Sequence, residues 1–441
     1  MDIIIAGAGR VGHLLSKALC VKHNVTVIDK NGDVLQVLND SVDLLTITGD
    51  IEDPSTYAPL LNKSFDIFIA VTDSDEANLL STLIADDVID AKKKIIRLKN
   101  EYFAKSSISQ KLGISDAVFP FSTTAVSIKA LLDFPKANNV KEFLYTDFKL
   151  ISVFVQNSDI VGETIEQFVQ KDCIVVGIER EKTFFIPNSD EVLQEYDLLY
   201  LFGNDQVIKN FCEIIDTKMP KSITKITIFG ASLLGIEIAK ALADKNISIK
   251  VIEKDNDLCM KAAEILQDSA TVINSRYIEH TIFDEEQISH SDMLISTDSK
   301  DEENIIRCLE AKEKGVTKTV AINNNKQHYE LMHKLGIVAA RGPKANAYYA
   351  ILEKMGSSSL VFEKHYCGGR ATIFMRKIFP NSSLNGKKVK PFLGEYTKCF
   401  IVREGIIHSF EEKFILQEDD LIFVYLQSNL EEKVKNWIYS L

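Results

Sequence analysis

Gly7, Gly9 and Gly12 stand in G-x-G-x-x-G spacing between an apolar run, residues 3–6, and a helix-periodic run, residues 11–20. Strand, turn and helix in that order suit a nucleotide pyrophosphate. Gly7 permits the tight turn, Gly9 lets backbone approach the phosphates, and Gly12 lets the helix pack on the strand. The N–H groups at the helix start, around Ala8, Arg10 and Val11, would hold the anion. An acid, Asp29, ends the next apolar run, residues 25–28, and lies 17 residues past Gly12. A ribose-binding carboxylate is expected about 20 residues on. The pattern reads as a dinucleotide or adenosine site; the alternative is a glycine turn of purely structural use.

A worn copy of this opening returns at Lys225-Ile226-Thr227-Ile228-Phe229-Gly230-Ala231-Ser232-Leu233-Leu234-Gly235. The elements that must carry the two turns therefore repeat. Residues 1–134 alternate apolar strands (3–6, 25–28, 43–46, 66–70, 94–98 and 117–119) with helical patterns such as 77–88, which predicts a doubly wound parallel sheet. Pro135 and the polar residues 136–139 break the pattern. Residues 140–216 carry short β-rich runs at 150–155, 173–178, 183–186 and 198–201 with one helix at 164–170, a small α+β module. A linker is expected at 219–222. The parallel pattern restarts at Ile226 and the β-rich pattern near Ala371. The fold class is thus α/β: two Rossmann-like domains, 1–134 and 220–355, each followed by a small α+β domain, 135–219 and 356–441.

The chain has 441 residues, 46% apolar and 26% charged, ordinary for a globular protein of about three domains. The seven cysteines are scattered, without a C-x-x-C pair, which reads as reduced thiols. No run approaches the ~20 apolar residues of a membrane span. No signal peptide is expected, because Met1 runs straight into a strand. A net charge of −12 argues against nucleic acid and against direct docking on anionic lipid.

The stretch Phe68-Ile69-Ala70-Val71-Thr72-Asp73-Ser74-Asp75-Glu76-Ala77-Asn78, with Gly49-Asp50 and Ile95-Ile96-Arg97, resembles the TrkA family of potassium-uptake regulators, built from RCK (or KTN) nucleotide-binding domains. The likeness spans essentially the whole chain. It implies a cytoplasmic regulatory subunit, peripheral at the inner face of the membrane. Its partner would be a membrane-embedded Trk-type potassium translocating subunit, its assembly a homotetrameric ring, and NAD(H) and/or ATP/ADP its regulatory ligands. Gly7, Gly9, Arg10 and Gly12 would bind phosphate and Asp29 the ribose, disfavouring a 2′-phosphate. Lys30 reads as a solvated charge or a ligand contact. Gly49-Asp50 would flank the adenine. Thr72, Asp73 and Glu76 would sit at the switch crevice. Asp75 reads as a helix-start acid. Arg97 suits either a buried ion pair or a phosphate contact on chemistry alone; the resemblance implies phosphate.

In the second copy Ser232 replaces the middle glycine, Asn274-Ser275 replaces Gly49-Asp50, residues 297–302 carry one extra position, and Ala321 aligns with Arg97; only Glu253 matches Asp29. This half is expected to keep the fold and lose the ligand. No catalytic residue and no metal site are expected: there is no H-E-x-x-H, no Cys/His cluster and no G-x-S-x-G. His328 and His333 read as solvated helix positions, Ser122-Thr123-Thr124 as a helix cap, residues 91–94 as a solvated turn and 298–303 as a helix start. An NAD-dependent dehydrogenase is the competing class. It would need a proton-transferring group against the nicotinamide, and neither a His-Asp nor a Tyr-x-x-x-Lys signature is present. A regulator of another transporter, such as a potassium/proton antiporter, is a third reading.

Overall fold

The computed structural model describes residues 1–61, 63–105, 111–143, 145–168, 173–218, 222–275, 282–355, 361–392, 394 and 396–441. The expected linker residues 219–221, and residues 169–170 of the expected helix, lie outside them. The first sheet is six-stranded and parallel, in the spatial order Leu45–Thr48, Asn24–Asp29, Asp2–Ala6, Ser64–Ala70, Asp90–Arg97, Asp116–Val118. That order reverses beside Asp2–Ala6, which puts the ligand crevice at the carboxyl ends of Asp2–Ala6 and Ser64–Ala70. The second six-stranded sheet repeats the order with Thr271–Asn274, Ser248–Glu253, Lys225–Phe229, Met293–Ser296, Lys318–Asn323 and Val338–Arg341. Each parallel sheet is followed by a five-stranded antiparallel sheet with a matching strand order. The α/β class and the duplication hold.

Local departures have local causes. The third strand begins at Leu45, two residues later than expected. Residues 91–94 belong to strand Asp90–Arg97, not to a turn, through its parallel ladder with Ser64–Ala70. Lys92 stays exposed beside Asp66 at 2.8 Å, while Lys93 pairs with Asp116 at 2.9 Å and Lys94 with Asp86. The expected break at 136–139 runs into strand Asn139–Glu142, and helix Asp205–Ile215 was not anticipated. The second β-rich module starts at Val361 rather than near Ala371. Ser122-Thr123-Thr124 does not cap its helix. Pro120 opens that helix, as proline's fixed φ allows, and Thr124 Oγ1 donates back to the Pro120 carbonyl at 2.9 Å.

By contacts the chain divides into two compact units, 1–124 with 341–357 and 125–340 with 358–441. In the first unit, helix Pro343–Met355 packs on helix Arg10–Leu19 and on the strands Asp90–Arg97 and Asp116–Val118. Asn346 Nδ2 donates to Thr124 Oγ1 at 2.8 Å, and Lys93 Nζ to the Lys354 carbonyl at 2.5 Å. The helix after the second parallel sheet thus completes the first domain. In the second unit the two antiparallel sheets pack face to face through aromatic side chains. Phe202 and Phe423 lie 4.9 Å apart by ring centroid, and Phe143 stands edge-on to Phe423 at 5.2 Å.

Candidate functional site

The phosphate turn is built as its spacing requires. Gly7 has φ +107°, and a side chain there would meet Thr72 Cγ2 at 2.9 Å. A Cβ on Gly12 would fall 1.8 Å from the Gly7 carbonyl oxygen, so the helix can approach its strand only with glycine there. Gly9 differs: its φ of −60° suits any residue, and a Cβ would meet nothing within 4 Å. The open space beside Gly9 is the approach a pyrophosphate would use. Gly9 is also the N-cap of helix Arg10–Leu19, and no side chain caps that helix. The positive end of the helix is therefore available to an anion. Ala8 and Val11 are buried in the turn, and Arg10 is exposed beside it.

Asp29 reaches back to this turn. Its Oδ2 accepts from the Ala8 N–H at 2.6 Å and its Oδ1 from the Asn31 N–H at 2.8 Å. The carboxylate fixes the phosphate turn and the entry to helix Gly32–Asn39, whose N-cap is Asn31. Each oxygen keeps a further lone pair for a ribose hydroxyl.

The opposite wall is organised by Asn78, which sequence reasoning quoted in a motif but did not place in the site. Asn78 is fully buried. Its Oδ1 accepts from Thr72 N and Oγ1, both at 2.8 Å, and its Nδ2 donates to the carbonyls of Thr72 at 3.1 Å and Arg97 at 2.9 Å. One amide therefore ties the loop after Ser64–Ala70 to the end of Asp90–Arg97. Arg97 is 3% exposed. Its guanidinium donates to the Thr72 carbonyl at 3.1 Å and to Asp73 at 2.8 Å, while its buried Nε has no hydrogen-bond partner among the described residues. Burial raises the Asp73 carboxyl, but the Arg97 bond and charge, with Lys344 and Lys99, outweigh it and hold Asp73 below the ordinary carboxylate value. Lys344, at the start of helix Pro343–Met355, had no sequence signal pointing here; only the packing of that helix brings its charge near Asp73.

The structure thus gathers Gly7 to Gly12, Asp29, Thr72, Asp73 and Arg97. The remaining expected residues are less engaged. Lys30 is exposed. Asp50 accepts from the Glu52 N–H at 3.0 Å within its own loop, and Gly49 is needed there because a Cβ would meet Thr56 at 2.6 Å. Glu76 accepts from Ser74 Oγ at 2.8 Å on the exposed start of helix Asp75–Val88. Asp75 has a structural use: it accepts from the Lys99 N–H at 2.8 Å.

The second copy keeps this scaffold with different side chains. Gly230 and Gly235 repeat the backbone geometry of Gly7 and Gly12, and Glu253 accepts from the Ala231 N–H at 2.8 Å. Asn304 repeats Asn78, accepting from Asp298 N at 2.8 Å and donating to the Asp298 and Ile322 carbonyls. Residues 301–313 form a helix, as the acidic start suggests. Two groups differ: Ser232 puts a side chain where Gly9 leaves space, and the counterpart of Arg97 is Ile322, whose carbonyl Asn304 holds. Ala321 therefore does not align with Arg97. Asp298 and Asn304 stand six apart like Thr72 and Asn78, so the expected extra position at 297–302 is not there.

Comparison with known proteins identifies the domains. The TrkA-N domain model matches residues 3–120 and 226–341, and the TrkA-C domain model residues 150–216. The chain is 25% identical over 452 residues to the Trk system potassium uptake protein TrkA homolog 1 of Methanosarcina mazei, covering 99% of this chain and all of that one. It is 24% identical over 442 residues to TrkA of Vibrio alginolyticus, covering 97% and 96%. Among solved structures, the GsuK RCK domain superposes with a TM-score of 0.60 at 17% identity, covering 100% of this chain and 95% of that one. The GsuK channel bound to NAD gives 0.59 at 19% identity, covering 100% and 79%.

Proposed function

This chain belongs to the TrkA family, and from that premise we propose that it is a nucleotide-responsive regulatory subunit controlling a Trk-type potassium uptake system, and not an enzyme. The observation that carries the reading is the crevice of the first parallel sheet. An uncapped helix start, an open glycine, a ribose-ready carboxylate and a buried arginine converge there. Phosphates would lie on the N–H groups of the Gly9–Gly12 turn, and the ribose hydroxyls would reach Asp29. A carboxylate in that position repels a 2′-phosphate, which favours NAD(H), ATP or ADP over NADP. Arg97 is anchored, whereas the Asp73 side chain is largely exposed. A terminal phosphate could therefore take the place of Asp73 on the guanidinium. Lys30, Gly49, Asp50, Thr72 and Glu76 complete the proposed lining. Along the chain the proposed domain bounds are near residues 134, 219 and 355, with helix Pro343–Met355 packing back on the first domain.

Asp29→Ala is expected to weaken NADH binding by about 10- to 100-fold. Hydrogen bonds to a charged group contribute about 1.5–3 kcal/mol, and about 1.4 kcal/mol is a factor of ten. Calorimetry checks the affinity, and a parallel melt separates it from loosening of the Ala8 turn. Unchanged affinity removes Asp29 from the site.

The regulatory step is proposed to be a change in a homotetrameric ring held at the inner face of the membrane by the translocating subunit. Among the described residues no helix is long and apolar enough to cross a membrane. A ligand moves a two-state assembly only by binding its states unequally. A swing from 1:99 to 99:1 takes about 5.5 kcal/mol, which several sites could share. Small-angle scattering with NADH, ATP, ADP and no ligand should give at least two ring shapes, with a tetramer mass by light scattering. A monomer at micromolar concentration, or four identical profiles, would sink the gating ring.

A further inference from the structure

Three potential metal ligands, far apart in sequence, meet within the second unit. Glu179 comes from strand Cys173–Arg180 of the first antiparallel module, His333 from helix Tyr329–Lys334 after the second parallel sheet, and Cys367 from the turn that follows strand Val361–Tyr366. One donor atom from each lies within 4.8 Å of the others. His333 Nε2 is 2.5 Å from Glu179 Oε2, and Cys367 Sγ is 3.3 Å from that same oxygen. His333 is thus not the solvated helix position its sequence suggested, and the Cys/His pairing absent from local spacing is made by the fold. We propose that Glu179, His333 and Cys367 bind one transition-metal ion of the zinc class, which ties the second parallel-sheet domain to both antiparallel modules.

The donor geometry is close to what such an ion needs. With bonds of about 2.0–2.3 Å, tetrahedral ligand atoms sit about 3.3–3.7 Å apart. The sulfur–oxygen separation already fits, and the nitrogen–oxygen separation must open by about 1 Å. Cys367 sits at φ +50°, a conformation uncommon for a residue with a side chain. A cavity of about 50 Å³ borders the cluster and is lined in part by Tyr200, His333, Tyr366 and Cys367. It has room for a water as fourth ligand. Arg370 donates to the other oxygen of Glu179, orienting the carboxylate as groups behind a metal ligand do. Thiolate and imidazole select zinc-like ions over calcium or magnesium. Burial and the Glu179 charge push the Cys367 thiol up to about 12. Binding therefore expels the thiol proton in exchange for the metal.

The test uses the full chain, stripped with chelator and titrated with Co²⁺ as a spectroscopic stand-in. One equivalent per chain should bring up a thiolate-to-cobalt charge-transfer band and the strong visible bands of a four-coordinate ion, and one equivalent of Zn²⁺ should bleach both. Cys367→Ser should abolish the charge-transfer band, His333→Ala should weaken Zn²⁺ binding by at least about 10-fold, and Cys399→Ser should leave both as in the wild type. A weak six-coordinate cobalt spectrum in the wild type, or a charge-transfer band that survives Cys367→Ser, overturns the site. Should Cys367→Ser fail to fold, the wild-type spectrum decides alone.

Discussion

Gly9→Asp is expected to abolish nucleotide binding, by at least about 100-fold, without unfolding the protein. Its backbone has ordinary angles, and a side chain there meets nothing within 4 Å. Aspartate is also a good N-cap, so helix Arg10–Leu19 should be held at least as well as before. The same carboxylate would stand in the phosphate approach, adding bulk and like charge where the helix start would otherwise attract an anion. Calorimetry with NADH and ATP measures the loss, and a melting temperature equal to or above the wild type shows that the fold survives. Ser232→Asp, the equivalent change in the second half, should leave affinity within about twofold. The comparison belongs in the full chain, because helix Pro343–Met355 completes the first unit and a chain cut near residue 218 would lack it. Wild-type affinity in Gly9→Asp, or loss of binding in Ser232→Asp, would overturn the assignment of the site to the first half.

Phe423→Ala should destabilise the second unit by about 3–5 kcal/mol, the usual cost of emptying a large aromatic site. Phe423 is fully buried between the two antiparallel sheets, against Phe143, Phe202 and Tyr425. Nucleotide affinity should stay within about twofold, since the crevice lies in the other unit. Ile406→Ala, at an exposed position, should cost less than about 0.5 kcal/mol. Denaturant unfolding followed alongside ligand titration checks all three. A loss below about 1 kcal/mol for Phe423→Ala would mean that the two modules do not pair through this face.

The first half of the site was legible because its chemistry is local. The turn at Gly7 to Gly12 and the acid at Asp29 lie within one βαβ unit, where spacing along the chain sets spacing in space. Thr72 and Asp73 were legible as a motif, though not the buried amide of Asn78 that fixes them. Lys93 and Lys94 misled because charge alone suggests solvent, whereas Asp116 and Asp86 on neighbouring elements pair with them in a strand. Lys92 is exposed as expected, though in a strand and not a turn. His333 misled for a related reason: its partner, Glu179, lies 154 positions away.

Sequence by itself determined the two parallel sheets, their antiparallel companions, the duplication, and which copy keeps the glycine, the acid and the arginine suited to a nucleotide. Each is written in short-range periodicity or in a residue type at a fixed step from a turn. Tertiary structure alone decided that helix Pro343–Met355 completes the first unit, that the antiparallel modules bury their aromatic faces on each other, and that Arg97 meets Asp73 while Glu179, His333 and Cys367 converge. The physical reason is that periodicity says which face of an element is apolar, but not which of several apolar faces will cover it. That choice is made by shape and charge across elements that the chain connects only distantly.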